Sequence, residues 1–164
     1  MKKIIFLDID GVLNHEEWYK KTKGREGDID PHCIELLNQL DDAEIVISSS
    51  RGQDGGRTEE TLREKGLKLP IIGFTKKWHY QYDWVCRGNE IEAWLVSDFN
   101  DKCSRFRGKW GNEDYEYVII DDEADMLLEQ VDNFIQIDRW VGITQANIDK
   151  AKQILRYEDS IVKY

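Results

Sequence analysis

Short apolar runs that stop abruptly in polar residues alternate along this chain with segments whose apolar positions recur at three- and four-residue steps. Ile4-Ile5-Phe6-Leu7 ends at Asp8, and Ala43–Ile47 ends in Ser48-Ser49-Ser50-Arg51. Residues 69–74 suggest a short third run, residues 115–120 end in Asp121-Asp122, and residues 134–137 make a fifth. Runs this short and this continuous fit strands buried on both faces, as in a parallel sheet. Between them lie helical patterns. Asp30 is placed to cap a helix with Pro31 at its first position, and Cys33, Leu36, Leu37 and Leu40 fall on one face. Residues 58–65 read as a short helix stopped by Gly66. Gly88-Asn89-Glu90 leads into a helix with Ile91, Trp94 and Leu95 on one face, and Met126, Leu127 and Leu128 suggest a short helix. A last helix starts near Gln145, with Thr144 as cap, Ile143 and Ile148 at staple spacing, and Ile148, Ala151, Ile154 and Leu155 as its core face. The polar residues 14–30, with Gly24 and Gly27, read as an exposed loop. Strands alternating with helices predict an α/β fold with a mainly parallel sheet.

Composition narrows the class. The 164 residues, 40% apolar, suffice for a single domain over residues 1–164 with a real core. A net charge of −10 disfavours a long nucleic-acid groove or an anionic membrane surface, but leaves room for recognition of one phosphate or a strand end. Cys33, Cys86 and Cys103 lack paired zinc spacing and read as free thiols in a reducing compartment. The apolar run behind the N-terminal lysines is too short for a signal peptide or membrane span. The expectation is a soluble, cytoplasmic protein with no membrane association and no evident obligate protein partner.

The strand ends carry the chemistry. Asp8 and Asp10 stand at the end of the first strand, where open α/β folds bind ligands, and a divalent cation would justify two acids there. A solvated Asp-Gly turn is the plain alternative. Ser48, Ser49, Ser50 and Arg51 supply hydroxyls and a guanidinium fork suited to a phosphate, against an ordinary polar turn. Arg87 precedes a helix, where the dipole disfavours a cation unless an anion faces it. Asp121 and Asp122, with Asp125 close behind, repeat the pattern of a buried run ending in acids. Trp78, Tyr80, Tyr82 and Trp84, interleaved with Lys76, Lys77 and Arg87, could stack bases or merely pack on the surface. Lys102, Arg105, Arg107 and Lys109 form a local basic patch. His79 has no partner at metal spacing.

In this order the motifs FLDIDGVLN, IVISSSR, RGNEIEAWL, YVIIDDEADM and the late VGIT resemble those of the haloacid dehalogenase (HAD) superfamily of aspartyl phosphatases. More narrowly, the chain is similar to the small phosphatase domains of RNA-repair proteins and polynucleotide kinase–phosphatases. The resemblance implies a Rossmann-like three-layer α/β/α sandwich and a Mg²⁺-dependent phosphomonoesterase. It makes Asp8 the nucleophile and Asp10 the acid and base. Mg²⁺ would be held by Asp8, Asp121 and the Asp10 backbone carbonyl, with Asp122 as a further acid at the metal. Ser49 would bind the phosphoryl group, with Ser48 as the alternative if the register shifts by one. Arg51 would clamp phosphate, and Arg87 would take a place where lysine is commoner, with Lys76 and Lys77 as competitors.

The spacing leaves no room for a full cap domain. An open site suits a phosphate-ester substrate at the end of something large, such as a nucleic-acid 3′ end. Nucleotides and other small phosphate esters are the alternative substrates. A response-regulator-like switch or a non-catalytic phosphate-binding module are the alternatives of a different class. The switch would carry its acidic pair on the first strand but its phosphorylated Asp on a middle one, whereas Asp8-x-Asp10-Gly11 follows the first strand.

Overall fold

A computed structural model describes residues 1–23, 28–51, 56–77, 85–96 and 115–157. The expected stacking aromatics of residues 78–84, His79, the basic patch of residues 102–109 and Cys103 lie outside them.

Strands β1 (Lys2–Leu7), β2 (Ala43–Ile47), β3 (Ile71–Phe74), β4 (Tyr115–Asp121) and β5 (Phe134–Gln136) form one sheet in the order β3-β2-β1-β4-β5. Every pairing is parallel. The continuous apolar runs follow from this, because side chains alternate between faces and both faces are covered. Ile5, Leu7, Ile45, Ile47, Val118 and Ile120 pack into one core with Leu37 and Ile148. Those two come from α2 (Pro31–Leu37) and α5 (Gln145–Ile154). Ile4, Phe6, Val46, Ile72 and Ile119 pack into the other with Ile91, Trp94 and Leu95 of α4 (Arg87–Leu95). Phe6 meets Trp94 and Tyr117 edge-on, with ring centroids 5.3 and 5.9 Å apart. The result is the Rossmann-like α/β/α layering.

The sheet order reverses at β1, whose neighbours β2 and β4 lie on opposite sides. The crevice past the carboxyl ends of β1 and β4 is therefore the topological switch point, where such sheets bind ligands. Two segments differ from the sequence reading. Residues 14–30 are not wholly loop: they carry helix α1 (Glu16–Lys21). Its cap is His15, whose ring accepts the Trp18 N–H at 3.3 Å, a residue outside the usual capping set. The expected helix at residues 126–128 begins later, as a 3₁₀ helix over Leu128–Asn133. Helix α3 (Arg57–Glu64) lies within one residue of its predicted bounds, and Gly66 closes it at φ +96°.

Candidate active site

Asp8 is the first residue past β1. Its N–H donates to the Ile120 carbonyl at 3.0 Å, so the ladder runs one step beyond the strand and pins Asp8 beside the end of β4. Asp121 is the last residue of β4, and its carbonyl accepts from Ile137 N–H at 2.9 Å. Asp8, Asp121 and Asp122 thereby bring carboxylate oxygens within 4.8 Å of one another. Asp8 is 6% and Asp121 2% exposed.

Three acids in a dry corner raise one another's proton affinity. Burial pushes the Asp8 carboxyl up to about 6, against the opposing pull of Arg87, Ser49 and a backbone N–H. Burial and then the charge of Asp8 push Asp121 up to about 8, opposed by the Glu123 N–H and Arg87. Asp122 is raised by burial, with Arg139 opposing. The Arg87 guanidinium serves three acids at once: Nη2 is 3.9 Å from Asp8 Oδ1, Nε 3.5 Å from Asp121 Oδ2, and Nη1 3.3 Å from Glu90 Oε2. Even so, Asp121 Oδ2 is buried with no hydrogen-bond partner among the described residues. Oxygen donors alone, surplus negative charge and an orphaned carboxylate oxygen fit a hard divalent cation such as Mg²⁺.

Asp10 stands apart from this corner. Its side chain is 45% exposed and held by a two-pronged pair with Arg51, Nη2 to Oδ1 at 2.7 Å and Nε to Oδ2 at 3.0 Å. Asn14 Nδ2 donates to Asp10 Oδ1 at 2.6 Å, while Asn14 Oδ1 accepts the Gly11 N–H at 3.0 Å. Gly11 has φ +80°, and a Cβ there would run into the Asp122 carboxylate. Only glycine lets the chain pass between the two acids and Asp122.

The two serines separate. The Ser49 hydroxyl faces Asp8 and lowers its proton affinity, and its Oγ accepts the Arg51 N–H at 3.4 Å. Ser48 extends the ladder through its N–H to Leu7, and its hydroxyl lies 3.5 Å from Thr75 Oγ1, buried on the β3 side. Arg87 is the first residue of α4, and its N–H donates to Asp125 Oδ2 at 2.8 Å. Asp125 thus caps α4 from another part of the chain, and the carboxylates facing Arg87 explain why a cation is tolerated there.

Four residues of this site are not evident in the sequence. Lys77, weighed there only as a competitor of Arg87, is buried, and its Nζ has no hydrogen-bond partner among the described residues. Burial and Arg87 lower its proton affinity, against Glu90, Asp8 and Asp10. Glu90 is buried opposite Arg87, a three-residue helical spacing that could have flagged it. Asn14 follows Asp10 by four residues, which signals nothing without the turn at Gly11. Arg139 Nε lies 3.8 Å from Asp122 Oδ2, brought there by β5 with no local sequence signal.

A second acid-and-sulfur group, His15, Asp30 and Cys33, is already committed to structure. His15 Nε2 lies 3.1 Å from Asp30 Oδ2, and Asp30 Oδ1 caps α2 through the His32 N–H at 2.9 Å. Burial pushes the Cys33 thiol up to about 12, so it stays neutral.

Compared with known families, residues 4–148 match the model described as the HAD domain in Swiss Army Knife RNA repair proteins. No curated protein and no solved structure matches the chain.

Proposed function

The chain belongs to the family of HAD domains found in Swiss Army Knife RNA repair proteins, phosphatase-type hydrolases, and from that premise we propose a Mg²⁺-dependent phosphomonoesterase that forms a phospho-aspartyl enzyme and acts on polynucleotide 3′-phosphates. One observation carries the reading: Asp8 and Asp10, two residues apart, sit in opposite surroundings. Asp8 is buried beside Asp121, Arg87 and Ser49, while Asp10 is half-exposed and steered by Asn14 and Arg51. A nucleophile wants the first environment and a proton carrier the second.

Asp8 attacks phosphorus, forming an O–P bond as the ester P–O bond breaks. Asp10 gives its proton to the departing alkoxide. Asp10 then takes a proton from the water that attacks the phospho-Asp8, releasing inorganic phosphate and free Asp8. Ser49 donates to a phosphoryl oxygen, and Arg87 and Lys77 offset its negative charge. Arg51 exchanges its pair with Asp10 for the substrate phosphate, freeing Asp10 to carry a proton. Mg²⁺, held by Asp8, Asp121 and the Asp10 carbonyl with Asp122 alongside, would neutralise the charge that otherwise keeps carboxylate and phosphate apart. The family's RNA-repair membership, and the absence of a full cap among the described residues, favour a strand end over a small ester.

Phosphate release with and without Mg²⁺, from an aryl phosphate, a 3′-phosphorylated oligonucleotide and nucleoside monophosphates, tests this. The expected result is Mg²⁺-dependent turnover, with the oligonucleotide favoured about tenfold or more in kcat/KM. No turnover, or full activity in Asp8→Asn, overturns the enzyme; equal or poorer use of the oligonucleotide overturns the substrate.

A further inference from the structure

Arg139, beside Asp122, begins an exposed ridge that runs away from the acids. An open depression of about 430 Å³ beside it is lined by Asp122, Gln136, Ile137, Asp138 and Arg139. The next residue, Trp140, is 53% exposed, an unusual place for an indole. Lys20 Nζ lies 4.6 Å from the centroid of its ring, and exposed Tyr19 precedes Lys20 on α1. The ridge is built firmly. Glu16 and Glu17 N–H groups donate to the Arg139 and Trp140 carbonyls at 3.1 and 2.9 Å. Gly142, at φ +72°, fits where a Cβ would overlap His15 and the Val12 carbonyl, so the turn sits directly on the loop that carries Asp10. Helix α1 keeps its acids, Glu16 and Glu17, in the first turn and its cations, Lys20 and Lys21, in the last. In a chain of net charge −10, cations at Lys20 and Arg139 beside an exposed indole are complementary to a phosphodiester carrying an unpaired base.

We propose that Trp140, with Lys20 and Arg139, is a subsite for a single-stranded nucleic-acid end. An unpaired base stacks on the indole, and the phosphodiester linking it to the terminal sugar lies against the two cations. The inference rests on the phosphatase reading only for what occupies the catalytic end. It adds that the strand enters over α1 and the turn before α5, and that the end must be unpaired. An indole stacks on any base, so the subsite selects strandedness rather than sequence.

Fluorescence anisotropy with Mg²⁺ and a short labelled oligonucleotide ending in a 3′-hydroxyl, the product end, reads the subsite without turnover. Trp140→Ala should weaken binding about tenfold, the order of one lost base stack, while Trp140→Phe stays within about threefold of wild type. A blunt duplex of the same sequence should bind no better to wild type than the single strand binds to Trp140→Ala. Wild-type affinity in Trp140→Ala, equal loss in the Phe variant, or tight duplex binding each overturns the subsite. Aryl phosphate turnover by wild type is read separately. If it is present and strand binding ignores Trp140, the subsite alone fails; if it is absent and strand binding depends on Trp140, the phosphatase reading alone fails.

Discussion

Asn14 ties Asp10, the proposed proton carrier, to the turn that aims it, accepting from Gly11 N–H and donating to Asp10. Asn14→Ala frees Asp10 toward Arg51 alone, and kcat for an aryl phosphate should fall about 10- to 100-fold with little change in KM, the general acid–base range. Steady-state kinetics decide this; a change confined to KM contradicts it. Gly11→Ala should be worse, because the side chain strains a left-handed residue and meets the Asp122 carboxylate. Isothermal titration should register loss of Mg²⁺ affinity in a protein that still folds. Cys33 should resist alkylation at pH 8 in the folded protein, its thiol buried and held neutral. At this scale the sequence is legible where chemistry is local. Asp8 and Asp10 are marked by their spacing and the Ser48–Arg51 group by its strand end, while Ser49 is singled out from Ser48 only by the family resemblance. Arg139 stays hidden because only the fold brings it to Asp122, whereas Lys77 is legible only as a competitor of Arg87, and Glu90 only through its three-residue spacing from Arg87.

Helix α4 matters for where it begins rather than for what it buries. Its first turn is fixed by Asp125, which accepts the Arg87 N–H, and by Gln130, whose Nε2 donates to the Gly88 carbonyl at 3.0 Å. Gln130 is 1% exposed and also accepts the Leu127 N–H at 3.0 Å, so it rivets α4 to the chain leaving β4. Helix α5 is held instead by its own cap: Thr144 and Asn147 exchange hydrogen bonds between side chain and backbone. Thr144→Ala should therefore cost about 1 kcal/mol in denaturant unfolding, as cap loss does, and leave turnover untouched. A larger loss, or a fall in kcat, would mean that α5 bears on the site. The strands and the three helices with regular apolar faces were readable because their periodicity records burial on both sheet faces. Helix α1 was not, since a histidine caps it and no face of it is fully buried.

Across the whole molecule, the fold gathers like charges at the switch point of its sheet. Asp8 and Asp121, raised by burial to about 6 and about 8 from the ordinary carboxylate range, bind protons in the folded state that the unfolded chain has already released. Their contribution to metal-free stability is full below about pH 4 and is lost as pH rises toward 8. Mg²⁺ bound at these acids, as proposed, would compete with those same protons, so its stabilising effect would grow across that window. The rise in Tm on adding Mg²⁺ should be larger at pH 8 than at pH 5, and equal shifts would contradict the metal assignment. The described residues contain no helix long and apolar enough to cross a membrane. Sheet order and the all-parallel pairing were legible only as a class, because periodicity reports which residues are buried but not which strands are neighbours. Asp8 is proposed to take the phosphoryl group. Rapid acid quenching during turnover of a 3′-phosphorylated oligonucleotide, followed by peptide mass mapping, tests it directly. One phosphoryl group should appear on the peptide bearing Asp8, be released by hydroxylamine, and be absent in Asp8→Asn. Turnover with the phosphoryl group on another residue would rule out Asp8 as the nucleophile.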